Sequence, residues 1–146
     1  KTMQISPHYE DVVAEVKAFL AERIDMALSF GIRRDHLIVD PGIGFGKRLE
    51  DNLALLDNLD AFGELGRPVL AGVSRKSFIG KILNLDAGER LEGTIAAAVI
   101  AVLRGASLLR VHDLQAVKRA VAVAEAIRGR KKEFLPSKGM QNPYVH

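Results

Sequence analysis

The hydrophobic positions of the chain fall into two patterns that alternate along its length. Short apolar runs at residues 37–39, 69–73 and 107–111 are typical of strands in a parallel sheet, and the first run is expected to be buried on both faces. Between these runs, apolar side chains recur every three or four residues, as on one face of a helix. Strands that alternate with helices predict a parallel sheet with right-handed crossover connections.

The second pattern predicts a series of helices. The first begins at residues 6–7 and ends at a C-terminal glycine cap at Gly31, and the last begins after Asp113, which is expected to cap it. The others are a helix that carries Leu53, Leu55, Leu56, Leu59 and Phe62, a short helix after Ser77, and a nearly all-apolar helix over 95–103. That apolar helix is expected to be buried on most sides.

The spacing of the strand ends sets the size of the repeating unit. Asp40 and Ser74 are 34 residues apart, and Ser74 and His112 are 38 residues apart. A complete (β/α)8 barrel takes about 250 residues, a little over 30 for each unit. One leading helix and three βα units therefore correspond either to a small open sheet or to the second half of a barrel.

Composition narrows the class of protein. A chain of 146 residues with 48% hydrophobic content fills one ordinary domain, and the lack of cysteine excludes disulfides and thiolate metal sites and favours a reducing compartment. No apolar run approaches the roughly 18 residues that span a membrane. The net charge of +3 comes from residues 128–138, which hold five basic side chains and one acidic one. We interpret residues 129–146 as a flexible basic tail rather than a nucleic-acid site, because aromatic residues are not interleaved with the charges.

Polar side chains follow all three predicted strands. In parallel βα architectures the carboxyl ends of the strands meet at one rim, where ligands bind. Three such clusters at one rim indicate a binding site for an electron-rich or anionic ligand. They are Asp40, then Ser74, Arg75 and Lys76, then Arg110 and His112.

The first cluster and its loop suit a flat heterocycle. The Asp40 carboxylate can accept two hydrogen bonds from an amino-pyrimidinone edge, although it can instead cap the turn at Pro41. Residues 42–47 lack the spacing of a nucleotide P-loop, so the glycines there are expected to allow close backbone approach. Phe45 is then free to pack on a planar ligand, or it belongs to the core.

The other two clusters supply cations. Lys76 can bond a ring carbonyl or nitrogen, Arg75 can stack on an aromatic ring, and Ser74 can bind a carboxylate. Arg110 and His112 alternate along a strand, so they point the same way and can share a diphosphate. His112 can instead be a structural imidazole satisfied by Asp113.

The motifs at these strand ends closely resemble those of dihydropteroate synthases. The resemblance covers residues 1–128 and rests on the motifs at 40–47, 72–80 and 110–113, together with the helix start at 93–97. It implies the C-terminal part of a (β/α)8 TIM barrel with parallel strands. It also implies the joining of 6-hydroxymethyl-7,8-dihydropterin pyrophosphate to para-aminobenzoate, which gives 7,8-dihydropteroate and pyrophosphate in the cytoplasm.

The resemblance also assigns roles to residues. It implies that pterin is bound by Asp40, Phe45, Gly72 and Lys76, para-aminobenzoate by Ser74 and Arg75, and pyrophosphate by Arg110 and His112. Magnesium accompanies the pyrophosphate, with no metal ligand expected from this chain. The implied partners are an N-terminal barrel half, in the same or a separate chain, and a second copy in a homodimer, with no nucleic acid and no membrane. Alone, the chain is expected to be inactive.

Two alternatives remain at this stage. A methyltetrahydrofolate methyltransferase shares a pterin-binding barrel, but it does not need the carboxylate and aromatic contacts that the run at 74–77 supplies. A non-catalytic half-barrel module would bind no pterin. Binding of para-aminobenzoate separates the first alternative from the synthase, and binding of pterin separates the second.

Overall fold

A computed structural model describes residues 9–129, which form a layer of short parallel strands covered by helices. The α-helices are α1 (Val12–Ser29), α2 (Leu49–Asp57), α3 (Ser77–Leu83), α4 (Leu91–Leu103) and α5 (Leu114–Ile127). The strands are β1 (Leu70–Ala71) and β2 (Leu108–Leu109), and 3-10 turns cover Arg34–His36, Leu59–Leu65 and Ala87–Glu89. The alternation of strands and helices predicted from the sequence is confirmed. No helix within residues 9–129 has the length and hydrophobicity needed to span a membrane.

The strands are parallel, and β1 lies in the middle. β1 and β2 pair with Leu70 opposite Leu108 and Ala71 opposite Leu109. On the other side of β1, Val39 forms an isolated parallel bridge with Val69, and the Val39 carbonyl accepts a 2.8 Å hydrogen bond from the Leu70 N–H. Two of the three predicted strands therefore form a parallel ladder, each shorter than its apolar run, whereas the run at 37–39 is reduced to a single parallel bridge at Val39.

The run at 37–39 is not buried on both faces, so that prediction is wrong. Val39 is buried, whereas the neighbouring Ile38 side chain is 53% exposed. Successive side chains of an extended segment point to opposite faces, and among residues 9–129 this segment pairs only with the start of the β1 segment, at Val69. One face packs on the core, and the other is left uncovered by the described residues.

α1 begins later than the sequence indicated. The predicted start at residues 6–7 lies outside the described residues, and the helix itself begins at Val12, where the Asp11 carboxylate accepts hydrogen bonds from the N–H groups of Val13 and Ala14. Its end is as predicted. Gly31 has a φ of +82°, and the Ile32 N–H donates back to the Ala27 carbonyl, which is the glycine-capped ending typical of helices.

The core lies between the strands and the helices. Leu55, Leu59 and Phe62 are fully buried and belong to the same hydrophobic cluster as the alanines of α4. These alanines (Ala97, Ala98 and Ala101) bury one face of α4, but Ile100 and Leu103 on its other face are exposed. The prediction that this helix is buried on most sides holds for six of the nine residues 95–103, which are buried or half-buried, and fails at Ala96, Ile100 and Leu103, which are exposed.

Candidate active site

A cavity of about 360 Å³ opens at the carboxyl ends of the two strands. It is lined by Phe45, Gly72, Ser74, Lys76, Arg110, Val111 and His112. The structure thus brings together most of the residues predicted from the three strand ends. Asp40 and Arg75 are not among the lining residues.

Ser74 and His112 join the ends of β1 and β2. The buried Ser74 hydroxyl accepts a 3.1 Å hydrogen bond from the His112 backbone N–H, and it lies 2.9 Å from Nδ1 of the same residue. The imidazole is therefore held by a serine. The alternative that Asp113 satisfies it is wrong, because the Asp113 carboxylate is paired with Arg75. Nε2 is the ring nitrogen left for a ligand.

Arg110 lies across Gly72. A Cβ atom built on Gly72 would stand 3.2 Å from Nη2 and 3.4 Å from Nε of Arg110. Glycine at this position leaves the space that the guanidinium occupies, so a side chain here would displace it. Arg110 and His112 both line the cavity, as does Val111 between them, and all three follow the end of β2 at Leu109, so their predicted alternation on one strand face stays a prediction.

Lys76 stands over the ring of Phe45. Its Nζ is 3.8 Å from the ring centroid, which is a cation–π contact, and Phe45 is 58% exposed rather than part of the core. Burial lowers the pKa of Lys76, and the nearby Arg110 guanidinium lowers it further, whereas the Asp40 carboxylate opposes both effects. The ammonium and the guanidinium therefore share a region that favours a bound anion.

Asp40 holds the turn that follows the first strand. Its Oδ1 accepts a 2.8 Å hydrogen bond from the Gly42 N–H, which is the turn-capping alternative left open by the sequence. The residue is exposed, and its second carboxylate oxygen is the one left to accept from a ligand.

The glycine loop at 42–47 is folded back on itself. Gly42, Gly44 and Gly46 all have positive φ, and a Cβ on Gly44 would lie 2.6 Å from Cδ of Lys76. The Lys47 ammonium donates to the Gly42 carbonyl at 2.9 Å, so it is engaged with the loop itself. Burial lowers the pKa of Lys47, against the opposing charges of Asp40 and Asp51.

Asn52 fixes the glycine loop from α2. It is 2% exposed, its carbonyl oxygen accepts from the Gly44 N–H, and its Nδ2 donates to the carbonyls of Lys47 and Arg48. Beside it, Asp51 accepts two hydrogen bonds from the Arg48 guanidinium, and these lower the pKa of the Asp51 carboxyl. These residues were not singled out from the sequence, although the three consecutive polar residues in the first turn of α2, Glu50, Asp51 and Asn52, are a signal of this kind.

Arg75 is turned away from the cavity. Its guanidinium donates two hydrogen bonds to the Asp113 carboxylate, at 3.0 and 2.7 Å, and these lower the pKa of that carboxyl. Asp113 makes no side-chain capping hydrogen bond with α5, so the prediction that it caps this helix is wrong. The carboxylate serves Arg75 instead.

The cavity has a donor set for anions rather than for metal ions. Within residues 9–129, no group of three or more His, Cys, Asp or Glu side chains is arranged to hold a metal. The lining residues contribute an ammonium, a guanidinium and an imidazole. These residues do not fit a directly bound magnesium ion, which prefers carboxylate and water oxygens.

Comparison with known proteins agrees with this chemistry. Dihydropteroate synthase from Haemophilus influenzae is 48% identical over 126 residues, which is 86% of this chain and 46% of that protein. The Escherichia coli enzyme is 47% identical over 126 residues, again 86% of this chain and 45% of the relative. The chain thus spans about half the length of the curated relatives it matches.

Solved structures give the same result. Dihydropteroate synthase from Xanthomonas albilineans in complex with 7,8-dihydropteroate has a TM-score of 0.82 and 49% identity, over 84% of this chain and 49% of that one. The Yersinia pestis enzyme with a sulfonamide drug complex has a TM-score of 0.85 and 40% identity, over 90% and 48% of the two chains. The predicted fold, the C-terminal part of a (β/α)8 barrel, is confirmed.

The family itself follows from a sequence match. Residues 1–112 match the family of pterin binding enzymes, which is more than half of the chain. The resemblance inferred from the strand-end motifs is confirmed, because the relatives named above are all dihydropteroate synthases. The chain therefore belongs to the pterin binding enzymes.

Proposed function

We propose that the chain provides the C-terminal half of a dihydropteroate synthase, a transferase of folate biosynthesis. The observation that carries the proposal is the cavity at the ends of β1 and β2. There Lys76, Arg110 and His112 gather positive charge and donors beside the exposed ring of Phe45. Cationic donors suit a diphosphate, and an exposed ring suits a flat pterin.

The reaction asks for little more than these groups. The bond between the pterin methylene carbon and the pyrophosphate oxygen breaks, with its electron pair leaving on the oxygen. The amine nitrogen of para-aminobenzoate then bonds to that carbon and loses a proton. Donors placed where negative charge develops lower the barrier to departure, and positioning supplies the rest. Arg110 and His112 are the donors to the departing pyrophosphate.

The remaining assignments are part of the same proposal. Lys76, Phe45 and the free oxygen of Asp40 bind the pterin ring, Ser74 binds the carboxylate of para-aminobenzoate, and Gly72 makes room by admitting the Arg110 guanidinium. The solved Xanthomonas albilineans enzymes that hold 7,8-dihydropteroate and 4-aminobenzoic acid support these two ligands. Contact of Arg75 with para-aminobenzoate stays a prediction. Magnesium is proposed only as an ion carried by the pyrophosphate.

Two partners complete the proposal. An N-terminal barrel half would cover the exposed strand edge at Ile38, and a second copy would pack on the exposed apolar groove between α4 and α5. That groove has a volume of about 820 Å³, with Ile100, Leu103 and Ile127 in its walls. A cytoplasmic location, and the lack of nucleic-acid and membrane partners, stay predictions.

The test is product formation by reconstituted halves. The chain is mixed with the N-terminal barrel half of the Haemophilus influenzae relative, and incorporation of labelled para-aminobenzoate into dihydropteroate is followed by chromatography. Product is expected when both halves are present. Neither half by itself is expected to form product. Replacing Arg110 with glutamine should lower kcat by roughly 100-fold, as for loss of one donor at a developing charge.

The outcomes separate the alternatives. Pterin binding without incorporation of para-aminobenzoate favours a methyltransferase-like barrel, and lack of pterin binding by the reconstituted protein favours a non-catalytic module. Turnover by the isolated chain would contradict the proposal that it holds only part of the site.

A further inference from the structure

Arg75 has a backbone conformation that its side chain does not favour. Its φ is +55°, in the left-handed region that L-residues other than Asn and Asp rarely adopt. The residue stands between Ser74 and Lys76, both of which line the cavity, while Arg75 itself does not. A strained residue next to a site is retained only when its surroundings hold it in place.

Both backbone groups of Arg75 and two of its guanidinium nitrogens have partners in α4 or in the residues just before α4 and α5. The backbone N–H donates to Oγ1 of the fully buried Thr94 at 2.9 Å, and the carbonyl accepts from Nη1 of Arg90 at 3.0 Å. The guanidinium is bidentate on Asp113. Thr94, Arg90 and Asp113 therefore fix both the backbone and the side chain.

The ion pair between Arg75 and Asp113 lies next to a second contact between the same two segments. Ser74 binds His112, and the next residue of each segment, Arg75 and Asp113, form the ion pair. The segment after β1 is thus tied to the segment after β2 at two consecutive positions. These segments carry the cavity residues Ser74, Lys76 and His112.

We infer that Arg75 and Asp113 are a positioning pair, which sets the cavity residues of the two strand ends relative to each other, with Thr94 holding the Arg75 backbone. Preformed placement of binding groups spares the cost of ordering them when a ligand arrives. The choice of ligand, a pyrophosphate group, rests on the proposed function. The geometry of the pair does not depend on that function.

A double-mutant cycle tests the pair. Inorganic pyrophosphate with magnesium is titrated by calorimetry into the reconstituted protein carrying Arg75→Gln, Asp113→Asn or both. Each single change is expected to weaken binding by roughly 10-fold, and the double change by no more than either single one, because both remove the same pair. Asp35→Asn, which breaks the exposed bidentate pair with Arg33 outside the cavity, is the matched control and should leave binding unchanged.

Two results would overturn the inference. If Arg75→Gln weakens binding while Asp113→Asn does not, the guanidinium contacts the ligand directly. If the two losses add, the residues act independently. Thr94→Ser keeps the acceptor for the Arg75 N–H and should bind as the parent does, whereas Thr94→Val should not.

Hydrogen exchange provides a measurement that needs no ligand. The amide of Arg75 is expected to exchange slowly in the parent protein, and Asp113→Asn should speed exchange at residues 74–76 and 112 while the amides of α4 stay protected. Fast exchange at Arg75 in the parent protein contradicts the inference. Failure of product formation with this exchange pattern intact would count against the proposed function alone.

Discussion

Asn52 shows how one buried side chain sets the shape of a loop. It makes hydrogen bonds to three backbone groups of the glycine loop and its flank, at Gly44, Lys47 and Arg48. Asn52→Ala removes the partners of the Gly44 N–H and the Lys47 carbonyl, whereas the Arg48 carbonyl keeps the Asn52 backbone N–H, and each group left unsatisfied costs about 1–3 kcal/mol. We expect a loss of about 2–4 kcal/mol in the free energy of unfolding, measured by urea denaturation.

The matched control is Asn58→Ala. Asn58 is an exposed asparagine whose side chain makes one hydrogen bond, to the Ala54 carbonyl. Its replacement should change the free energy of unfolding by no more than about 0.5 kcal/mol. Equal losses of unfolding free energy in Asn52→Ala and Asn58→Ala would show that the burial of Asn52 does not contribute to stability.

Asp51 makes the free energy of unfolding depend on pH in the acidic range. Hydrogen bonds from Arg48 lower the pKa of this carboxyl below its ordinary value of 3.8, so between the two values the unfolded chain binds more protons than the folded one. Its contribution to stability is full above pH 3.8 and is lost as the pH falls through the lowered value. The gap in unfolding free energy between the parent and Asp51→Asn should therefore shrink from pH 7 to pH 2.5.

Single residues were predictable from the sequence where the chemistry is local. Asp40, Phe45, Lys76, Arg110 and His112 stand out because polar or aromatic residues follow apolar runs, and four of the five line the cavity. Their partners were not predictable, because Ser74 and His112 are 38 residues apart and only folding brings them together. The same separation hides the pairing of Arg75 with Asp113.

At the scale of elements, the contact between α3 and α4 depends on a glycine. A Cβ on Gly93 would lie 2.3 Å from Cγ2 of Ile79 and 3.1 Å from Cδ1 of Leu83. The Ile79 atom belongs to a buried, β-branched side chain that cannot rotate away at low cost. Gly93→Ala should therefore destabilise the protein by about 1–2 kcal/mol, since overpacking outweighs the gain in helix propensity.

Gly88→Ala is the control for this substitution. An added Cβ at Gly88 meets nothing within 4 Å, and the residue does not have a positive φ. Its thermal midpoint should match that of the parent, while that of Gly93→Ala falls by several degrees. A Gly93→Ala protein as stable as the parent would mean that the two helices move apart freely.

Elements were predictable where the signal lies within the element. The glycine cap at Gly31 and the short helix after Ser77 follow from local residue types, and both are confirmed. The predicted start of α1 was wrong because it depends on which of several residues caps the helix. The predicted burial of the run at 37–39 on both faces was wrong because it depends on the neighbouring strands. An apolar run indicates a strand but cannot report whether one or two neighbours lie beside it.

On the scale of the whole molecule, the exposed apolar surface has a definite distribution. Large apolar side chains are exposed on α1, at the strand edge and on the outer faces of α4 and α5, among them Phe19, Phe30, Ile38, Ile100 and Ile127. Exposed apolar patches of this kind mark surfaces for association. An edge strand with unpaired backbone groups also favours pairing with another chain. This distribution supports both proposed partners, the N-terminal half and a second copy.

Two isoleucines of equal exposure allow the strand edge to be tested apart from general hydrophobicity. Ile38 at the edge and Ile82 on α3 are both 53% exposed. Ile38→Lys places a charge where the N-terminal half is proposed to pair, and it should weaken association by roughly 10-fold or more in a calorimetric titration of one half into the other. Ile82→Lys adds the same charge away from that edge and should leave the affinity unchanged.

Both variants should have a free energy of unfolding within about 0.5 kcal/mol of that of the parent, because neither side chain is buried in the chain itself. If the two variants associate equally well with the N-terminal half, the edge at Ile38 is not the surface at which that half packs, and the proposed association depends on other contacts.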